Sequence, residues 1–251
     1  MTAAAGLAPL YNAPVNAPIR AISLDLDDTL WPFAPIGGRI ERALHDWFVE
    51  HSPRTAERFP IEEMRALRER VFADFPQHAH DLGLLRRLTI ERALQESGGD
   101  PGMASAAYEI FFRERNRVDF YPDAHAGLQR IAAQLPVAAL TNGNADLAAI
   151  GIASLFQFQL GAREFGLGKP EPGIFLETCR RLEVEPHEVL HVGDHPHMDV
   201  AGAARAGLRS CWIDRGEHEW PQDLAPADLN FTTLTALADW LDAHRDTKDA
   251  A

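Results

Sequence analysis

Cysteine is scarce in this chain. Of 251 residues only Cys179 and Cys211 carry thiols, and their spacing matches no metal-binding pattern. A disulfide framework and a thiolate zinc cluster are therefore excluded, and two isolated thiols fit a reducing, cytoplasmic setting. Basic residues are also outnumbered, with 24 Lys and Arg against 37 Asp and Glu and a formal net charge of -13. That balance argues against a general nucleic-acid partner, because phosphate backbones attract Lys- and Arg-rich surfaces. It leaves room for a small phosphorylated ligand, since a bound divalent cation reverses the local field. No apolar run is long enough to span a bilayer, so no membrane partner is expected. The G-x-x-x-x-G-K-[ST] phosphate loop is missing, because Gly168-Lys169 is followed by Pro170. Residues 1–18 have no basic residue and no continuous apolar segment, which predicts a loosely ordered arm in place of a signal peptide.

An apolar content of 46% is enough for a sizeable core. The run Ala21-Ile22-Ser23-Leu24, led in by Ile19 and Arg20, reads as a buried parallel strand. Trp31-Pro32-Phe33-Ala34-Pro35 then predicts an interruption of regular structure. From about Gly38 to Arg117 the pattern is helical. Ile40, Leu44, Trp47 and Phe48 recur at helical spacing, as do Ile61, Met64, Leu67 and Val71. Leu84, Leu85, Leu88, Ile90 and Leu94 mark another helix, and Ala106–Phe112 a further one. These stripes read as core packing, not as a cofactor box. Alternation resumes near Tyr121, with strands expected at Val137–Leu140, Glu188–Val192 and Leu208–Ile213. Helices are expected at Ala124–Gln134, Gly173–Leu182, Met198–Ala206 and after Thr232. The fold class is therefore α/β, a Rossmann-like parallel sheet with an inserted helical block. The expected division is a core of residues 19–35 and 119–251 around a block of residues 36–118.

Four places along the core carry polar groups suited to phosphate and metal chemistry. Asp25 and Asp27 follow the first strand, at the sheet edge where open α/β folds bind ligands. Two acids this close repel unless a cation or a shared proton neutralises them. Thr141-Asn142-Gly143 follows the strand ending at Leu140, where a hydroxyl and backbone N–H groups can hold phosphate oxygens or cap a helix. Lys169 sits between Gly168 and two prolines, a rigidly presented charge able to neutralise a nucleophile or a phosphate. Gly193 permits a tight turn from which Asp194 and Asp199 reach toward a cation. Hard oxygen ligands favour magnesium over zinc. His191, His195 and His197 offer imidazoles, but one lies in a strand and two flank a proline.

In this order the four motifs resemble the haloacid dehalogenase-like (HAD) hydrolase superfamily: D-x-D-x-T at Asp25–Thr29, Thr141 at a strand end, Lys169 before proline, and G-D-x-x-x-x-D at Gly193–Asp199. The helical block falls where that family carries its mobile cap. The resemblance implies that Asp25 attacks phosphorus and that Asp27 protonates the leaving alcohol and then activates water. It implies that the Asp27 carbonyl, with Asp25 and Asp194, binds Mg2+. Thr141 and Lys169 would hold phosphoryl oxygens, and Asp199 would support the metal or Lys169. The dehalogenase branch lacks an acid at the position of Asp27, because halide leaves without a proton; Asp27 therefore implies a phosphatase. Asp28 reads as a structural hydrogen-bonding residue.

Specificity is expected from the cap, with Asn142, Gly143, Trp31 and Arg86 as substrate contacts beside Phe33, Arg39 and Arg87. Trp31 and Phe33 could stack on a planar substrate or pack core against cap. The segments Ala139–Asp146, Leu190–Asp199 and Ser210–Ile213 look like the bacterial flavin mononucleotide phosphatase group. That implies a small phosphorylated metabolite, flavin mononucleotide or a riboflavin-pathway phosphate. A phosphomutase or phosphotransferase would use the same core, and a non-enzymatic phospho-receiver domain shares its acids, Thr and Lys. The sequence leaves the oligomeric state open.

Overall fold

The computed structural model describes residues 18–245, so the expected N-terminal arm lies outside the described residues apart from residue 18. Strand β1 (Ala21–Leu24) is buried along its whole length, as its unbroken apolar run requires of a strand covered on both faces. It occupies the middle of a six-stranded parallel sheet. On one side lie β2 (Val137–Thr141) and β3 (Phe158–Gly161), and on the other β4 (Val189–Gly193), β5 (Arg209–Ile213) and β6 (Leu229–Phe231). Ile22 pairs in register with Val137 and Leu190, and Leu24 with Ala139 and Val192. The C-terminal ends of β1, β2 and β4 therefore share one rim, at the point where the strand order changes direction.

Six α-helices run between β1 and β2, and the first five make up the insertion: α1 (Phe33–His51), α2 (Pro53–Arg58), α3 (Ile61–Asp74), α4 (Leu82–Ser97) and α5 (Ala104–Arg115). Helix α1 begins at Phe33, inside the stretch expected to be irregular. Pro35 falls in its first turn, where the backbone N–H has no intrahelical partner and a proline is tolerated. Its buried stripe, Ile36, Ile40, Leu44 and Phe48, continues the core of the sheet, together with Ala107 and Phe111 of α5. Phe59, Leu67, Val71, Leu85 and Ala93 form a separate apolar cluster within the insertion. Asp81 caps α4 by accepting from the Leu84 N–H at 2.9 Å, and Gly98 ends the helix with φ 70°.

The sixth, α6 (Ala124–Ala132), leads into β2 and covers one face of the sheet with α11 (Leu234–Arg245). The short helices α7 (Leu147–Ile150) and α8 (Ala162–Phe165) flank β3, and α9 (Pro172–Leu182) covers the other face with α10 (Gly202–Arg205). The helix expected at Met198–Ala206 is instead a π-helical turn, Pro196–Ala201, followed by α10. Such widened turns recur at functional positions. This one carries Asp199. Among the described residues no helix is long and apolar enough to cross a membrane.

Candidate active site

Asp25 leaves the tip of β1 with its N–H bonded to the Val192 carbonyl at 2.9 Å, which ties the loop to neighbouring β4. The chain then turns sharply through Asp28, whose φ of 58° is unusual for a residue with a side chain. Asp28 Oδ1 accepts from the Phe33 N–H at 2.8 Å and fixes the entry to α1, the structural role expected of it. The isolated bridge between Asp27 and Trp31 closes the same turn.

Four loops meet at this rim. Lys169 Nζ lies 2.7 Å from Asp25 Oδ1 and 2.6 Å from Asp199 Oδ1. Asn142 brackets the Lys169 backbone, accepting from its N–H and donating to its carbonyl, both at 2.7 Å. Both ends of the Asn142 side-chain amide thus fix the Lys169 loop, and Asn142 lines the same cavity as Asp25 and Lys169. Thr141 Oγ1 accepts from the Gly143 N–H at 2.9 Å and lines the same cavity as Asp25, Asp27 and Lys169. Asp194 Oδ1 accepts from the Thr29 hydroxyl at 2.7 Å, while the Trp212 indole N–H donates to its carbonyl at 2.6 Å. Gly193 is a steric necessity, because a Cβ there would come within 2.2 Å of Asp199 Cγ.

The charge balance at the rim is uneven. Oxygens of Asp25, Asp194 and Asp199 lie within 4.8 Å of one another, with Lys169 the cation that contacts two of them. Burial raises Asp25 well above the usual carboxylate range, with Lys169 opposing and the two other acids adding to the rise. Burial and the Asp199 charge push Asp194 to about 7. Asp199 behaves oppositely: despite its burial, Lys169 and His191 hold it low. Lys169 would be discharged by burial alone, but Asp199 and Asp25 keep it firmly protonated. Of the two roles open to Asp199, the contact with Lys169 is present directly. Its oxygens also accept from the His195 N–H at 2.9 Å and meet His191 Nε2 at 3.0 Å. Asp25 and Asp194 retain unengaged lone pairs, and a set of carboxylate oxygens carrying surplus negative charge fits a hard divalent cation.

The histidines serve other purposes. His191 is buried, its Nδ1 is 2.6 Å from Ser23 Oγ, and burial lowers its pKa. His195 Nδ1 accepts from the N–H groups of His197 and Met198, capping the π turn. Trp31 is 0% exposed, so its ring offers no face to a substrate. The expected stacking contact is corrected: the indole N–H donates to Asp27 Oδ1 at 2.8 Å. Phe33, 40% exposed, remains on the cavity wall. Arg39 is tied to Glu114 and the Arg117 carbonyl, and Arg87 lies over the Tyr108 ring. Arg86 lines a second cavity of about 500 Å³ that adjoins the catalytic one of about 290 Å³; Phe33, Leu82, Arg115 and Asn144 line both.

Residues outside the sequence expectations complete the site. Arg115 Nη2 lies 2.6 Å from Asp27 Oδ2, and Arg115 Nε donates to Asn144 Oδ1 at 2.8 Å. His218 Nε2 approaches Asp194 Oδ2 at 3.6 Å. Arg215 holds the Thr29 carbonyl at 2.9 Å and Asp123 at 2.8 Å. None has a local pattern that separates it from an ordinary surface charge.

A rim of this kind, with paired acids after the first strand and a lysine between two of them, defines a hydrolase of the haloacid dehalogenase-like class. The model of that family, haloacid dehalogenase-like hydrolase, matches residues 19–207, and the chain belongs to it. The chain is 34% identical over 227 residues to the 5-amino-6-(5-phospho-D-ribitylamino)uracil phosphatase of Escherichia coli, covering 87% of this chain and 94% of that protein. It is 40% identical over 162 residues to a phosphoserine phosphatase of Thermus thermophilus, covering 61% and 65%. Among solved structures, a 2-haloacid dehalogenase from Pseudomonas syringae pv. tomato superposes with a TM-score of 0.82 at 35% identity, covering 90% of this chain and 99% of that one.

Proposed function

We propose that this enzyme is a magnesium-dependent phosphatase for a primary phosphate ester on a ribityl chain, flavin mononucleotide or a ribitylamino-heterocycle phosphate among them. One observation carries the reading: a second carboxylate, Asp27, lines the cavity that holds Asp25, Lys169 and Asp194. A leaving alkoxide needs a proton, and a carboxyl in that place supplies it. The adjoining cavity of about 500 Å³ leaves room for an organic group much larger than the phosphoryl. In this reading residues 36–118, which hold α2–α5 and all of α1 but its first three residues, act as the cap over a core of residues 19–35 and 119–251.

The chemistry divides into two displacements. An Asp25 oxygen attacks phosphorus while the bond to the leaving oxygen breaks, and the Asp27 proton goes to that oxygen. Asp27, now ionised, takes a proton from water as the water oxygen attacks phosphorus, releasing Asp25 and inorganic phosphate. Lys169 and the turn Thr141–Gly143 hold the phosphoryl oxygens throughout. Asp25, Asp194 and the Asp27 carbonyl would hold Mg2+, which supplies further positive charge opposite those oxygens.

The test is phosphate release from flavin mononucleotide, phosphoserine and 4-nitrophenyl phosphate, with and without Mg2+. Wild-type protein should turn over only with the metal, and Asp25→Asn should lose about 10⁴-fold or more in kcat. Near-normal turnover by Asp25→Asn overturns the nucleophile, and a phosphorylated isomer in place of free phosphate shows a mutase. The similarity to a 2-haloacid dehalogenase favours a second reading, for which halide release from 2-chloropropionate is the direct measurement.

A further inference from the structure

Arg115 is the last residue of α5 and 1% exposed, a cation at the seam between the insertion and the sheet rim. Its guanidinium is divided among three directions. Nε donates to Asn144 Oδ1, and Nη2 meets Asp27 Oδ2. Nη1 is buried and has no hydrogen-bond partner among the described residues. A buried guanidinium N–H without an acceptor costs on the order of 1–3 kcal/mol. Such an atom in a folded protein points to a group that arrives later.

The surroundings say which group. Arg115 and Asn144 line both the catalytic cavity and its larger neighbour, so the guanidinium stands where the phosphoryl end of a ligand gives way to the organic end. That is the position of the ester oxygen and the carbon beside it. Gly143 keeps the arrangement open, because a Cβ there would lie 2.4 Å from Asp27 Oδ2 and 3.1 Å from Arg115 Nη2. The indole of Trp31 holds the other oxygen of Asp27, so the carboxylate is fixed from both sides.

We propose that Arg115 joins the helical insertion to the acid–base step, positioning Asp27 through Nη2 and offering Nη1 to an oxygen on the leaving group next to the ester. The inference rests on the phosphatase reading and adds a substrate preference: esters whose neighbouring carbon bears a hydroxyl or carbonyl oxygen.

Two substrates test it, 4-nitrophenyl phosphate, whose phenolate leaves with little help, and D-ribitol 5-phosphate, whose alkoxide needs the proton and whose C4 hydroxyl can meet Nη1. Arg115→Gln should lower kcat/KM by about 100-fold or more for ribitol 5-phosphate and by less than about 10-fold for the aryl ester. Arg115→Lys should recover part of the loss, since it restores the charge but not the fork. Asn144→Ala should shift the ratio in the same sense by a smaller factor, and it decides the matter if Arg115→Gln does not fold by circular dichroism. Equal losses on both esters overturn the role of Arg115 while leaving the phosphatase intact. Absence of phosphate release by wild-type protein from either ester defeats the phosphatase reading and this inference with it.

Discussion

The sheet rim and the helical insertion treat charge in opposite ways. At the rim, two acids contact one lysine with a third, Asp194, beside them: Lys169 is 3% exposed, Asp199 1% and Asp25 13% at their side chains. On the outer face of the insertion, acids and bases meet at the surface, such as Arg65 with Glu62 at 2.7 Å and Arg92 with Asp74 at 2.5 Å. The cluster of Phe59, Leu67, Val71, Leu85 and Ala93 beneath them contains no charge. Exposed pairs add little stability because water screens them. A buried, unbalanced group costs stability unless something enters to neutralise it. The contrast separates the rim, arranged for a ligand, from the outer face of the insertion, arranged to stay folded.

Lys169→Met breaks the contrast most sharply. It removes the one cation between Asp25 and Asp199 and leaves two carboxylates facing each other in a buried place. Removing one partner of such a group costs about 3–5 kcal/mol, which a denaturant melt of the metal-free protein reads directly. Loss of one preorganised charge at the phosphoryl group should lower kcat by about 10²–10³-fold. Millimolar Mg2+ should recover part of the stability and little of the activity. Wild-type stability together with wild-type turnover would show that the rim cation is dispensable.

The rim was legible because its residues sit beside strands. Asp25, Thr141 and Asp194 each follow or end a buried apolar run, and parallel pairing of β1 with β2 and β4 brings those ends together. Lys169 stood out through its prolines. Arg115 gave no such signal: its contact with Asp27 spans 88 positions and depends on how α5 meets the rim. Trp31 was read as a substrate contact, because an aromatic ring suggests stacking more readily than an indole N–H suggests a donor to Asp27. Strands β3 and β6 escaped notice because they are short edge strands. Phe158 and Gln159 are half-buried and Asn230 is exposed, so neither segment shows a buried run. The π turn was read as ordinary helix because spacing alone does not reveal that Asp199 must turn toward Lys169.

Asp194→Asn sharpens the comparison through pH. Burial and the Asp199 charge raise the Asp194 carboxyl to about 7 from an ordinary 3.8. The folded protein therefore binds this proton more tightly than the unfolded chain between those two values. Its stabilising contribution is full below pH 4 and is lost as pH rises through 7. Metal-free Asp194→Asn, which has no charge to bury, should gain stability over wild type at pH 8 and gain least at pH 5. Thermal melts across that range measure it, and a constant difference would show that Asp194 titrates normally.

Asp74→Asn should have the smallest effect, on the other side of the comparison. It keeps the shape of the side chain and removes the charge facing Arg92, at a site where Asp74 is 55% exposed. A pair of this kind contributes roughly 0.2–1 kcal/mol, and 0.5 M salt should erase most of the difference between variant and wild type. Arg92 stays placed over the Phe75 ring at 5.7 Å, so its packing survives the loss of the acid. kcat/KM should stay within about two-fold of wild type, because no buried charge changes its neighbours. A larger fall in activity with unchanged stability would mean that charge on the outer face of the insertion reaches the rim, and the division between the two regions would have to be redrawn.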